Sequence, residues 1–419
     1  MPIHFLLLLL GCIFYIIARV VYQNHPELFL CLLIIINFEF FYLFPQIGEY
    51  NTYNIILLPI LALLLLEMIV LGKIRFESLS IGILITLFIG MLALGVLIAN
   101  GNDQPILLGL KAIKFQLLIL IYFVVVSKDI QVEKFGKYLI GVSFCIMVLG
   151  DLDVAFFDGN LILSNVPEKD LKERLGRIRF AVGYEIISIS CLIAFCILLK
   201  TSSKLYGVLF LLFFIHILFV LQTRMIIAGI ILSCIIIFLF IRNITPAVVI
   251  LATLLVLLAF PTTMLVGKMF QKIGLVKQTV EDIQKKAASW QGRVNAYEYY
   301  LSKISDSPLW GYGYENFNWE KNPEKRLKSR GIHKSDIGIT HFIYKNGAFG
   351  LFWFIGLIIV VVWHCWTIRA SSSVLLAYFS LAFCTLLTLD FFFKNRSILL
   401  LGIFLGLLAQ EFRKQRKQE

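Results

Sequence analysis

The chain has 419 residues, 59% of them hydrophobic and only 15% charged, with a mean hydropathy of +0.88. Soluble globular chains carry roughly 45–50% apolar and about 25% charged residues, so an ordinary soluble enzyme is excluded. The formal net charge of +12 comes without any nucleic-acid-binding signature, so it concerns membrane topology and an anionic ligand.

Thirteen apolar segments, each near the ~20 residues that cross ~30 Å of hydrocarbon, follow one another along the chain. They run over 4–21, 28–44, 54–71, 79–98, 106–126, 138–156, 181–199, 205–222, 225–241, 246–266, 341–363, 372–389 and 398–412. The sequence therefore predicts an all-α polytopic membrane protein with about 12–13 transmembrane helices. The first segment lacks a basic n-region and a small-residue cleavage site, so it reads as a retained helix. The eight cysteines all lie in apolar runs without metal spacing, which indicates neither a disulfide framework nor a zinc site.

The short connections divide by charge. Arg19, Lys73, Arg75, Lys128, Lys134, Lys137, Lys200, Lys204, Arg242, Arg369 and the tail from Arg413 fall in every second one, whereas Glu49 and Asp103 mark alternating ones. By the positive-inside rule the first set and the C-terminus are cytoplasmic, and thirteen spans then put the N-terminus outside. The organisation reads as ten helices over 1–266, an outer loop over 267–340, three helices over 341–412 and a basic cytoplasmic tail over 413–419.

Two outer stretches break the charge rule. The connection 157–180 carries Lys169, Lys172, Arg174, Arg177 and Arg179, and the 74-residue loop 267–340 holds 13 Lys/Arg against 8 Asp/Glu. Within the loop Trp290, Val294, Tyr297, Leu301 and Ile304 recur at helical spacing, stopped by Ser305–Pro308. A weaker pattern (Phe270, Ile273, Val276, Val280, Ile283) precedes it, so short amphipathic helices should cover the outer mouth of the bundle.

Several residues have the chemistry for a site. Arg224 stands between two apolar runs on the outer side, where topology does not require a cation; ionisable residues at membrane depth default to function, although a snorkelling anchor is the plain alternative. Gly292 and Arg293 open the amphipathic helix, followed by Ser307, Pro308, Trp310, Gly311, Tyr312, Gly313 and Tyr314. Glycines there allow close backbone approach to a ligand, and the aromatic rings offer flat faces for sugar C–H groups or simply pack at the interface. His333, Lys334 and Asp336 come next, then Gly347 and Gly350 where the chain returns to the membrane.

This order of motifs resembles the O-antigen ligase/O-antigen polymerase superfamily of bacterial envelope polysaccharide enzymes. Its members have about a dozen membrane helices and one large periplasmic loop. They show an outer-face arginine at a helix start, an Arg and then Pro-x-x-Gly-x-Gly in the loop, and Gly-x-x-Gly in the following helix. Arg224, Arg293, Pro308/Gly311/Gly313 and Gly347/Gly350 match these here, and the basic loop ending in Arg177 and Arg179 matches in position. Ligases of the superfamily show His-Asn eleven and ten residues ahead of the glycine corresponding to Gly347; this chain has Asp336 and Ile337 there, with His333 three residues earlier, which favours polymerase over ligase.

The resemblance implies a glycosyltransferase of the bacterial inner membrane with its site facing the periplasm. It would move a growing glycan from undecaprenyl diphosphate onto the next lipid-linked repeat unit. Arg224, Arg293, Arg177 and Arg179 would hold the diphosphate, and Asp336, ahead of His333, would serve as base. Trp290, Trp310, Tyr312 and Tyr314 would line the glycan groove. No metal or cofactor is called for. The partners are lipid-linked donor and acceptor, membrane lipids and a chain-length regulator, but no nucleic acid. A ligase acting on lipid A-core and a flippase or other transporter are the alternatives, the latter disfavoured by the absence of an internal repeat.

Other ionisable residues read more plainly. Asp151 and Asp153 mark a solvated helix end; Glu39, Glu67 and Glu185 pair with cations across the bundle. Lys111 and Lys114 either join the anion site or snorkel, and His341 is a hydrogen-bonded interface histidine.

Overall fold

The computed structural model describes residues 15–38, 52–74, 78–158, 162, 171–174, 177–180, 183–221, 223–241, 288–323, 327, 337–368, 373–386, 392–393 and 396–417. The segment expected at 246–266, the pattern over 270–283, Glu39, His333 and Asp336 lie outside them. In chain order the helices are α1 (15–24), α2 (Pro26–Asn37), α3 (Thr52–Val70), α4 (Leu79–Gly101), α5 (Ile106–Ile113), α6 (Ile121–Val126), α7 (Val132–Phe157), α8 (Tyr184–Thr201), α9 (Lys204–His216), α10 (Arg224–Ile241), α11 (Ala288–Asp306), α12 (Ile339–Thr367), α13 (Ser373–Thr385) and α14 (Ser397–Arg416).

Five helices among the described residues are long and apolar enough to cross a membrane, and a bent pair makes up to six. The fold is the expected all-α polytopic membrane bundle, with two local departures. The apolar run 106–126 is not one straight helix. It forms α5, a 3₁₀ turn at Gln116–Leu120 and α6, with a bend of 50°; the buried Gln116 amide at the turn donates to the Phe393 carbonyl at 3.1 Å. The basic connection contains a small antiparallel hairpin, β1 (Leu171–Arg174) with β2 (Arg177–Phe180), in which Lys172 faces Arg179 and Arg174 faces Arg177 across the pair.

A helix that is apolar all round must be buried on every side, and α14 obeys this from Ser397 to Gln410. It forms the bundle's pillar. Gly402 and Gly406 form a Gly-x-x-x-Gly face that lets the Ile119–Val125 backbone close in, the small-residue route to membrane helix packing. Tyr378 stacks on Phe404 at 4.0 Å, joining α13 to the same pillar.

The ends of the helices fall into two groups. Phe157, Tyr184, Arg224 and Ile339 terminate helices at one end, together with the hairpin and α11. Lys128, Lys134, Lys200, Lys204 and Arg413 stand at or next to the opposite helix ends.

Candidate functional site

The loop after α11 is fastened to α12 through backbone atoms. Gly347 leaves the helical region (φ 58°, ψ −149°) and breaks α12. The Ala348 N–H therefore misses its helical partner and donates to the Pro308 carbonyl at 2.8 Å. The Tyr344 and Lys345 carbonyls accept from the Tyr312 and Gly313 N–H groups at 3.0 and 2.9 Å, and the Gly95 carbonyl of α4 accepts from Tyr314 N–H at 3.1 Å.

Gly313, at φ 75°, tolerates no side chain: an added Cβ would strike the Gly95 carbonyl oxygen and lie 2.8 Å from the Ala99 amide nitrogen. At Gly347 the obstacle would be the Leu309 carbonyl, with the Gly311 nitrogen at 2.7 Å. This corrects the expectation that these glycines make room for a ligand. The surface they approach so closely is protein, and the two glycine motifs are two halves of one joint.

Polar side chains complete the joint. The Gln104 amide donates to the Tyr314 carbonyl at 3.1 Å and its oxygen accepts from Asn316 N–H at 2.7 Å. Asn316 donates to the Leu108 carbonyl of α5 at 3.0 Å. Lys321 reaches Asp103 at 2.8 Å, and that hydrogen bond holds the Asp103 carboxyl below its ordinary range. On α11, Lys303 does the same to Asp306.

The aromatic residues of the loop divide. Tyr312 stacks on Tyr344 at 4.9 Å, and Tyr314 is buried beneath Lys345, whose Nζ stands 5.0 Å from the ring centroid. These two rings are committed to protein contacts. Trp310 is 48% exposed and stacks on the equally exposed Phe349 at 5.0 Å, leaving an outward aromatic pair beside the joint. Under the loop, Ala296, Tyr300, Leu327, Ile337 and Tyr344 form a second small core. His341 is buried there against the Tyr300 ring, 5.8 Å between centroids.

Residues remote in sequence converge on this end. Arg224 is the first residue of α10, Arg293 lies in α11, Trp290 in its first turn, and Arg177 and Arg179 in β2. β2 packs against the π-helical turn Ile217–Leu221, which leads to Arg224. Five residues into α10, Gly229 abuts Thr385 of α13; the next carbonyl, Leu386, accepts from Ile339 N–H at 3.2 Å, at the start of α12. α11, which carries Arg293, packs on α12 in turn. The beginnings of α10 and α12, the hairpin and the loop thus share one end of the bundle.

Three residues were not singled out for this site from sequence. Gln104 and Glu315 had no motif; Glu315 accepts from the Tyr344 hydroxyl at 3.2 Å. The buried His216 meets Asp151 at 3.0 Å, just before the π turn; a histidine in an apolar run was its only signal. Asp153 is likewise buried and accepts from Ile162 N–H at 2.9 Å, so of this acidic pair only Asp151, its side chain 41% exposed, keeps the solvated character that the sequence suggested. Glu67 does pair across the bundle as expected, with Arg19 at 2.9 Å. Lys114 lies over its neighbour Phe115, 4.7 Å from the ring centroid, while Lys111 is exposed.

No curated protein matches the chain. Residues 189–355, from within α8 to within α12, match the family model described as O-antigen ligase. That stretch contains Arg224, Arg293, the loop glycines and the Gly347–Gly350 break, and over it the chain is similar to the O-antigen ligase family.

Proposed function

We propose that this protein polymerises a lipid-linked surface polysaccharide of the O-antigen kind, working on the periplasmic side of the bacterial inner membrane. The family match supports an O-antigen ligase- or polymerase-like role and a glycosyltransferase-like enzyme. The polymerase reading rests on Asp336, which stands where ligases carry histidine. The observation that carries the site is the convergence of β2, the start of α10 and the α11–loop–α12 joint at one end of the bundle.

In this reading the growing glycan leaves undecaprenyl diphosphate and joins the acceptor repeat unit. The bond from the donor sugar to the diphosphate oxygen breaks, the acceptor hydroxyl forms the new glycosidic bond, and its proton passes to the base. Arg224, Arg293, Arg177 and Arg179 hold the departing diphosphate, because a guanidinium fork matches phosphate oxygens bidentately and never loses its charge. Fixed cations aimed at charge that develops on the leaving group are the main catalytic contribution. Asp336 accepts the acceptor proton or orients the hydroxyl, with His333 as the second candidate base. The Trp310–Phe349 pair offers an accessible aromatic face for a sugar ring beside the joint; Trp290 belongs to the same groove.

A surface-glycan gel of a deletion strain tests the reading. Loss of a polymerase leaves core bearing a single repeat unit. Bare core with glycan stranded on its carrier would instead identify a ligase, and loss of all outward-facing repeat units a flippase.

A further inference from the structure

At the end of the bundle away from the loop, a cavity of about 360 Å³ opens between α1, α3, the end of α6 and the end of α14. Its distance from the candidate site follows from helix length. His364 lies 17 residues beyond Gly347 on α12, about 25 Å of helix at ~1.5 Å per residue. The His364 ring then meets Phe412 at 4.1 Å, and Arg413, the next residue, lines the cavity.

Four cations, Arg19, Lys73, Lys128 and Arg413, share the wall with two carboxylates, Glu67 and Asp129. Both carboxylates are already engaged. Glu67 takes both Nε and a terminal nitrogen of Arg19 at 3.1 and 2.9 Å, and the Tyr15 hydroxyl at 2.8 Å. Asp129 pairs with Lys414 at 2.9 Å, outside the cavity wall. The charge that remains facing the space is positive.

The wall is also built to hold its shape. The buried Gln410 side-chain amide donates to the Val125 and Lys128 carbonyls and its oxygen accepts from Ile130 N–H at 3.3 Å, which fixes the Ser127–Asp129 turn. The Lys128 ammonium sits 5.5 Å from the Tyr22 ring centroid, and the Tyr22 hydroxyl is tied to the Val124 carbonyl at 2.8 Å. Leu64, Met68 and Val126 supply an apolar floor. Beside the cavity, the outward faces of α1 and α3 are apolar, with Val20 53% and Val70 76% exposed.

We propose that this cavity is a binding site for a phosphate-bearing anion, distinct from the diphosphate site at the loop end. Cations grouped on an ordered wall, with the local carboxylates already paired, suit a phosphate group. The apolar flanks of α1 and α3 suit the chains of an anionic phospholipid whose headgroup enters the cavity, since basic pockets between membrane helices take up such headgroups. A soluble phosphate would use the same cations. The site does not depend on which glycan reaction the other end performs.

The test uses the full-length protein in detergent. Native mass spectrometry scores retention of phosphatidylglycerol against phosphatidylcholine, and a thermal shift measures binding of inorganic phosphate. The wild type should prefer phosphatidylglycerol, and the double variant K73Q/K128Q should retain it about thirtyfold less, as expected for two lost surface cations. K73R/K128R should keep the preference, which separates lost charge from lost fold. Phosphate binding that the Gln variant abolishes, without any lipid preference in the wild type, assigns the site to a soluble phosphate. Unchanged retention in K73Q/K128Q, or equal loss in K200Q/K204Q at the same end but off the cavity wall, overturns the proposal.

Discussion

Replacing Gly313 by Ala gives a sharp test of the loop joint. Its φ of 75° lies in the left-handed region, which costs a residue with a Cβ about 1–2 kcal/mol. Strain alone would be tolerable. The larger effect is steric, because the new methyl meets the Gly95 carbonyl and the Ala99 nitrogen, both backbone atoms of a packed helix that cannot step aside. The loop must lift, and with it go the hydrogen bonds from Tyr312, Gly313 and Tyr314 N–H. At about 0.5–1.5 kcal/mol net for each, three such bonds contribute roughly 1.5–4.5 kcal/mol. The total, on the order of 3–6 kcal/mol, is enough to undock a loop and is comparable with the stability of a small domain. Gly72→Ala is the control: its φ of 61° carries the same strain, but nothing lies within 4 Å of the added methyl. Gly95→Ala should fall between, since its methyl meets only the Tyr314 ring edge at 2.6 Å and a side chain can give way. The assay is tryptic cleavage at Lys303 and Lys321 in purified protein, read beside the length of displayed glycan. Gly313→Ala should cleave much faster and display short glycan while the membrane helices persist. Wild-type cleavage and glycan in Gly313→Ala, or equal damage from Gly72→Ala, would refute the close-approach argument.

Three further outcomes are expected. Arg224→Ala and Arg293→Ala should each lower polymerisation on the order of a hundredfold, and Arg→Lys should already damage it because a point charge lacks the bidentate fork; normal glycan in both Ala variants at matched protein levels would remove the anion site. Asp336→Asn should shorten displayed glycan more than His333→Ala does. Asn can still cap a helix but cannot accept a proton, so the reverse order would shift the reading towards a ligase-like mechanism. Acid should loosen the Lys321 segment. Lys321 depresses the Asp103 pKa, so the stabilisation is present above the ordinary Asp value of about 3.9 and is lost as pH falls through the lower folded value. Cleavage by an acid-active protease near Phe317 and Trp319 should rise below that point in wild type, and that step should be missing in Asp103→Asn.

Membrane helices were legible because an apolar run of fixed length is a local property of the chain. The run 138–156 sits inside α7 and 341–363 inside α12. The bend at 106–126 was not legible: the 3₁₀ turn is stabilised by the buried Gln116 bond to Phe393, a partner 277 residues away. The hairpin at 171–180 was hidden by its charge, since strand patterns are read from apolar alternation and Leu171–Arg174 offers little. The helix over Ala288–Asp306 was visible from its stripe of Trp290 to Ile304. Its loop was misread, because a glycine reports that something comes close and not what does. Tyr314 shows the same limit: its sequence neighbours suggest a sugar platform, whereas its burial against α4 is a tertiary fact.

The break at Gly347 has a consequence for how relatives of this protein are recombined. Pro308 supplies the acceptor that Ala348 needs, and Tyr344 and Lys345 supply those that Tyr312 and Gly313 need, so neither partner is complete without the other. A graft that exchanges the loop alone between homologues, in search of new sugar specificity, would import one half of a mortise without its tenon. The transferable cassette runs from Ser307 through Gly350, with the α4 seat at Gly95 and Ala99 matched to it. Chimeras cut at the apparent loop–membrane boundary near residue 340 should express poorly, while those cut within the helical stretch beyond Gly350 should carry their donor's loop intact.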